Sequence, residues 1–135
     1  MATDTLSLDS IAITAAAADV VVGIGKVPPG TKHITLHSNF TYGSGGTTAK
    51  FYLQSSADGG VTWFDIAALA HTTASLRRII SIDLEVAGAL ATAADGTLAD
   101  NTKIDGIGGD RLRLKYTTVG VYAGSSTYKL DLIYR

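Results

Sequence analysis

The amino-acid sequence predicts an all-β domain, built as an antiparallel β-sandwich or jelly roll of roughly seven to eight strands. Two observations carry this prediction. Apolar and polar residues alternate with a period of two in five separate segments, and turn sequences rich in Gly, Pro and Ser lie between those segments. No window of about eleven or more residues has an apolar stripe at helical spacing. We therefore expect each strand to bury one face and to expose the other.

The alternating segments read KHITLHSNFTYG, KFYLQS, SLRRIISIDLEV, RLRLKYTT and YKLDLIYR. Their predicted inward positions are Ile34, Leu36 and Phe40, then Phe51 and Leu53, then Leu76, Ile80, Ile82, Leu84 and Val86, then Leu112, Leu114 and Tyr116, and last Tyr128, Leu130, Leu132 and Tyr134. Residues 5–13 and 18–27 are also expected to be extended. The Ala-rich stretch IAALAH (66–71) allows a short helical turn.

Length and pattern indicate one domain spanning residues 1–135, since 135 residues suffice for one hydrophobic core. Two regions have no clear period. Residues 1–18 offer few apolar anchors and are interpreted as a possible extended N-terminal arm. Residues 87–109 form a long Ala, Gly, Asp and Thr stretch, and loops of that length are usually functional or disordered.

The composition argues against several classes of function. Only 17% of residues are charged and the net charge is −1, so no basic surface is expected to attract nucleic acid. The chain has no cysteine, which excludes disulfides, thiolate metal sites and cysteine nucleophiles. The acidic N-terminus lacks the basic region of a secretory signal, and no apolar run is long enough to span a bilayer. We expect a soluble protein without membrane contact.

The stretch SSADGGVTW (55–63) combines turn-forming residues with the single Trp of the chain. Five positions fit the pattern S-x-D-x-G-x-T-W, namely Ser56, Asp58, Gly60, Thr62 and Trp63. This pattern resembles the Asp box of sialidases and other propeller proteins, where the box lies away from the catalytic face. Asp58 is expected to accept backbone N–H bonds across its own loop, with Gly60 at a positive φ. We interpret the stretch as a structural turn.

No metal or cofactor site is predicted. His33 and His37 are four residues apart on a strand, about 13 Å, which is too far for two ligands of one zinc ion. The EF-hand spacing is missing, so calcium could bind only weakly to the acidic residues Asp95, Asp100 and Asp105. The glycine-bearing VVVGIGKV (20–27) lacks the spacing and the helix of a phosphate-binding loop.

No catalytic residue is predicted either. The sequence has no G-x-S-x-G motif, no cysteine and no histidine in a recognisable triad context. His71 stands alone in the sequence. The carboxylates Asp83 and Glu85 share a strand face with Arg77, which is typical of a salt-bridged surface. We expect a protein that is not an enzyme.

A second resemblance covers residues 30–86 and 108–135. The segment GDRLRLKYTTVGVYAGSSTYKLDLIYR is similar to the closing hairpin of small virion proteins of tailed bacteriophages, and FYLQSSADGGVTWFDIA is similar to another hairpin of such proteins. The resemblance implies a capsid decoration or cement protein, a small β-sandwich that oligomerises on the outside of the shell. The protein is therefore expected on the capsid exterior of a virion, after synthesis in the cytoplasm of the bacterial host.

The resemblance implies the major capsid protein as a partner. The edges of a sandwich with few charged residues near its Thr-rich segments also predict pairing with further copies of the chain, in a homodimer or homotrimer. The arm 1–18 and the loop 87–109 are the expected capsid contacts. Three alternatives stay open: a phage tail or head–tail connector subunit, a carbohydrate-binding module and, least favoured, a small hydrolase. A carbohydrate-binding module would need an exposed aromatic platform, for which the candidates are Tyr42, Tyr52, Tyr116 and Tyr122.

Overall fold

A computed structural model of the chain describes residues 4–14, 16–86 and 90–135. Every regular element in these residues is a β-strand, and seven strands have at least seven residues. The strands are β1 (Asp4–Ser7), β2 (Ile11–Ala12), β3 (Val20–Lys26), β4 (His33–Thr41), β5 (Ser44–Gly45), β6 (Thr48–Ser56), β7 (Phe64–His71), β8 (Leu76–Asp83), β9 (Thr102–Lys103), β10 (Arg111–Val119), β11 (Tyr122–Ala123) and β12 (Thr127–Tyr134).

The long strands form two antiparallel sheets of five strands each. The first sheet has the order β1, β12, β4 and β8, with β2 also paired to β12. The second sheet has the order β3, β10, β6, β7 and β9, and β5 pairs with β11 in a separate ribbon. The predicted all-β antiparallel sandwich is confirmed, and the narrower jelly-roll description stays a prediction.

The sheets pack face to face through positions that the alternation predicts. Leu36 in β4, Phe51 in β6 and Leu114 in β10 are buried in one core. Phe51 of the second sheet stacks on Tyr128 of the first, with ring centroids 3.6 Å apart. The Tyr128 hydroxyl shares a 2.7 Å hydrogen bond with the Ser38 hydroxyl, so the polar end of this ring has a partner inside the core.

The IAALAH stretch (66–71) is not a helical turn, because these residues belong to β7. Alanine favours helix by itself, but β7 is paired with β6 on one side and with β9 on the other. Its register against β6 shifts between Leu53 and Gln54, and this irregularity lets Ile66 and Ala67 both reach the core. Long-range backbone bonds therefore override the local propensity.

The N-terminal segment is extended, as predicted, but residues 4–14 lie against the first sheet instead of forming a free arm. β1 pairs with β12 over four residues, and the Ile13 amide donates to the Ser126 carbonyl at 2.9 Å. The Ile13 side chain is buried in the core. Further on, the Ala17 amide donates to the Thr118 hydroxyl at 2.8 Å. The segment thus covers the β12 edge and crosses to the second sheet.

The predicted 87–109 loop is also ordered by pairing where the structure describes it, from residue 90 onward. Residues 102–103 form β9, and the Ile104 amide donates to the Ile66 carbonyl at 2.9 Å. The Gly106 amide then donates to the Asp83 carbonyl at 2.6 Å, at the end of β8. Residues 102–106 therefore cross from the second sheet to the first, and residues 87–89 lie outside the described part of the chain.

The third alternating segment is less buried than predicted. Ile82 lies in the core, whereas Leu76 and Val86 are exposed. Conversely, Tyr52 and Gln54 of β6, which were expected on the solvent face, are buried. The difference follows from position in the sheet, because β8 is an edge strand and β6 lies in the middle of its sheet.

Candidate functional site

The corner between β6 and β7 is organised around the Asp58 carboxylate. Oδ1 accepts bonds from the amides of Val61 (3.1 Å) and Thr62 (2.9 Å) and from the Ser56 hydroxyl (2.8 Å). Oδ2 accepts the Thr62 hydroxyl at 2.6 Å. These bonds hold the pKa of Asp58 well below its ordinary value, and the two bonds from Thr62 contribute most to that lowering. An ionised carboxylate is therefore the hub of the turn.

The remaining residues of the motif complete the same corner. Gly59 and Gly60 have φ angles of 74° and 98°, which favour glycine. The Trp63 indole N–H donates to the Gly60 carbonyl at 3.1 Å, and the guanidinium carbon of Arg113 lies 4.5 Å from the centroid of the Trp63 ring. All five motif residues are brought together, and their bonds close within the corner. This geometry favours a structural turn over a ligand site.

We expect the substitution Asp58→Ala to lower the Tm by a few degrees, because it removes four hydrogen bonds that close the corner. The matched variant Asp58→Asn keeps a carbonyl oxygen in place and should lose less. Differential scanning calorimetry near neutral pH measures both. An unchanged Tm for Asp58→Ala would contradict the structural role of the carboxylate.

A buried polar cluster lies beside the corner, and sequence reasoning missed its central residue. Asp65 in β7 is only 1% exposed. Its Oδ1 accepts the side-chain amide of Gln54 (2.7 Å) and the backbone amide of Gly96 (3.0 Å). Its Oδ2 accepts the amides of Thr97 (3.0 Å) and Leu98 (3.1 Å). One carboxylate of the second sheet thus holds the segment 96–98 in place.

Gln54 extends this cluster toward two cations. Its Nε2 also donates to Asp95 Oδ1 at 2.7 Å, and its Oε1 accepts Arg113 Nε at 2.7 Å. Lys115 Nζ lies 2.8 Å from the same Asp95 oxygen, and this contact is the main cause of the lowered pKa of Asp95. Since the charged groups pair with one another, the arrangement suits a structural clasp. The only sequence signal was one acidic residue inside the apolar stretch FDIAALA.

The aromatic core contains a histidine. His71 is 3% exposed, and neither ring nitrogen has a hydrogen-bond partner. Its ring stacks on Phe40 with centroids 4.8 Å apart and meets Phe51 edge-on at 5.7 Å. Burial, with a smaller contribution from the charge of Arg78, lowers the pKa of His71 to about 4. The imidazole is therefore neutral near pH 7 and serves as an aromatic core residue.

The sequence analysis considered His33 together with His37, but in the structure the neighbours of His33 are Asp83 and Glu85. His33 Nδ1 lies 3.6 Å from Asp83 Oδ1, and Nε2 lies 3.6 Å from Glu85 Oε2. Potential ligand atoms of these three residues all lie within 4.8 Å of one another, the only such group among the described residues. Each ring nitrogen faces a different carboxylate, and Lys32 Nζ lies 3.4 Å from Glu85 Oε1. These three side chains are partly exposed, and exposed acidic groups commonly lie this close together without a metal ion, so the group by itself does not establish a metal site.

The three aspartates considered for calcium are not brought together. Asp95 binds Lys115 as described above, and Asp100 pairs with Lys50 at 3.1 Å. Asp105 Oδ1 accepts the Asp83 amide at 3.0 Å and lies 3.1 Å from Lys103 Nζ. Each carboxylate therefore has its own partners, and the three do not converge on one point.

The tyrosines considered as a sugar platform are mostly inside the protein. Tyr52, Tyr116 and Tyr122 are buried, and Tyr42 alone is partly exposed. Tyr42 meets Tyr122 edge-on, with ring centroids 6.1 Å apart. The glycine-bearing segment 20–27 contains β3, so it presents an extended strand and not a loop before a helix. These four tyrosines do not form an exposed aromatic surface.

Comparison with protein-family models, with curated proteins and with solved structures found no match for this chain. The described residues contain no helix that is long and apolar enough to cross a membrane.

Proposed function

We propose that this chain is a structural virion protein that binds the outside of an assembled phage capsid and stabilises the shell. Its partners would be the major capsid protein and a second copy of the chain. The proposal assigns it no chemical reaction and no cofactor. It rests on the likeness to small phage virion proteins and on one structural observation, the exposed apolar side chains at opposite ends of the sandwich.

The two ends are marked by Val61 and Val121, which are 79% and 61% exposed. Val61 lies in the corner, next to the start of β10, where Arg111 pairs with Ser56. Val121 follows the far end of β10, which has nine residues and therefore spans about 30 Å. A subunit with an apolar contact at each end can touch two neighbouring surfaces at once. Such bridging is what a cement protein needs.

The low charge of the chain indicates which contacts would hold the protein on a capsid. With a net charge of −1 and only 17% charged residues, the chain has little capacity for an electrostatic clamp. Apolar and hydrogen-bonded contacts are not screened by salt as exposed ion pairs are. Binding to capsids should therefore persist at moderate salt.

The test mixes purified protein with bare expanded capsids of its own phage, sediments the shells and measures bound protein and heat resistance of the shells. We expect Val61→Ser and Val121→Ser each to lower occupancy, because each removes one apolar contact. The control Val21→Ser changes a valine of β3 that is also exposed, 48%, but lies away from both ends. It should bind as the parent does.

Two results would overturn the proposal. One is absence of co-sedimentation with intact shells. The other is density for the protein confined to the tail or to a ring at the portal, which would support the tail or head–tail connector alternative. A glycan array tests the carbohydrate-binding alternative, against which the burial of Tyr52, Tyr116 and Tyr122 argues.

A further inference from the structure

The two sheets have four edges, and one of them is long, regular and open. β1 has four residues and β9 has two. β3 carries an irregularity, since its pairing with β10 shifts between Leu112 and Arg113. β8 has eight residues and pairs with β4 without any shift. Short or bulged strands resist pairing with another chain, whereas a regular edge strand invites it.

The backbone groups on the free side of β8 can be identified from those that already have partners there. The Asp83 amide donates to Asp105, the Asp83 carbonyl accepts the Gly106 amide, and the Ser81 carbonyl accepts Lys103 Nζ. In an antiparallel strand both backbone groups of a residue point the same way, and the direction alternates along the strand. The backbone groups of Arg77 and Ile79 therefore also point away from β4.

These two residues mark the open half of the edge. Among the described residues, no other strand or loop bonds the outward backbone groups of Arg77 and Ile79. The Ile79 side chain is 72% exposed, so an apolar side chain lies at the centre of this open half. Beyond Ser81 the edge is covered by residues 103–106, so any added strand must be centred near Ile79.

We propose that β8 pairs antiparallel with β8 of a second copy of this chain, with the two-fold axis at Ile79. The inference deepens the self-association included in the proposed function and does not depend on capsid binding. This pairing joins the first sheet of one copy to the first sheet of the second copy, edge to edge, in one continuous sheet. A two-fold contact of this kind closes on itself, which limits the assembly to a dimer.

The side chains favour this register. It places Ile79 opposite its own copy, and it places Arg77 opposite the partner's Ser81 and diagonal to the partner's Asp83, on the same face of the sheet. Moving the axis to Arg78 would set that arginine opposite its own copy, and like charges directly opposite are unfavourable. The strand is therefore self-complementary about Ile79.

The inner side of the edge has room for the partner strand. A groove of about 450 Å³ lies between β8 and β9, lined in part by Leu69, Ile80 and Lys103. In the proposed register the partner's Ile80 lies opposite Arg78 and points into this groove. Lys103 would release the Ser81 carbonyl on pairing, but it keeps its contact with Asp105 at 3.1 Å.

Cysteine cross-linking tests the register, because the chain has no cysteine of its own. Under mild oxidation at high micromolar concentration we expect Ile79→Cys to form a disulfide dimer at least about tenfold faster than Arg77→Cys. Facing Cα atoms at the axis lie about 5.5 Å apart, within disulfide range, whereas the two copies of residue 77 would be about 14 Å apart. Equal rates for the two variants would contradict the register.

Sedimentation equilibrium tests the edge itself. The parent chain should be a dimer at high micromolar concentration and Ile79→Lys a monomer, with Val61→Lys as the control for a charge at another exposed apolar position. A monomeric parent, or an Ile79→Lys variant that stays dimeric, would overturn the proposal. A Tm of Ile79→Lys close to that of Val61→Lys excludes misfolding as the cause. Because no capsid is used, these outcomes are independent of the test of capsid binding.

Discussion

The variant Asp65→Ala is expected to lower the free energy of unfolding by about 3–5 kcal/mol. The substitution removes the shared acceptor of the Gln54 side-chain amide and of the backbone amides of residues 96–98. The cost is large because Asp65 is almost fully buried, so water cannot easily replace the lost bonds. Urea unfolding at fixed neutral pH, followed by fluorescence of Trp63, measures the change.

The control is Asp95→Ala, which removes a carboxylate from the same cluster. The Asp95 side chain is 56% exposed, so its contacts with Lys115 and Arg113 are screened by solvent. We expect a loss of about 1 kcal/mol or less. Limited proteolysis gives a second readout, since the segment around residues 96–98 should be cut faster in Asp65→Ala than in Asp95→Ala. Equal losses of stability would show that Asp65 is not the centre of the clasp.

Stability should fall by about 3 kcal/mol as the pH decreases from 6.5 toward 4, because of His71. The pKa of His71 is lowered to about 4 in the folded protein, whereas the unfolded chain has the ordinary value of 6.5. Between these values the unfolded state takes up a proton that the folded state does not, so protonation favours unfolding. Above 6.5 both states are neutral, and below 4 both are protonated. The contribution is therefore constant outside this window.

Replacing the imidazole separates this effect from other titrations. His71→Phe keeps an aromatic ring in contact with Phe40 and Phe51 but cannot be protonated, so its stability should change little between pH 6.5 and 4. The lowered pKa values of Asp95 and Asp105 act below that window. Equal slopes for the parent and His71→Phe would refute the role of His71.

The sequence by itself determined the features that depend on near neighbours in the chain. The period of two predicted most of the strands, because an extended backbone turns successive side chains to opposite faces whatever the sheet around it. The SSADGGVTW corner was predicted with its hub, since Asp58 bonds residues at most four positions away. Local spacing was sufficient there.

Only the tertiary structure decided which strands are edges and which polar residues are buried. Asp65 accepts hydrogen bonds from backbone amides about thirty residues further along the chain. Gln54 accepts a bond from Arg113, which is 59 residues further along the chain. The arm 4–14 pairs with β12, more than a hundred residues away. Leu76 is exposed in the edge strand β8, whereas residues 66–71, for which Ala propensity suggested a helical turn, belong to β7 and are paired with a strand on each side. Burial and pairing arise from the sum of remote backbone contacts, which residue type and local spacing do not encode.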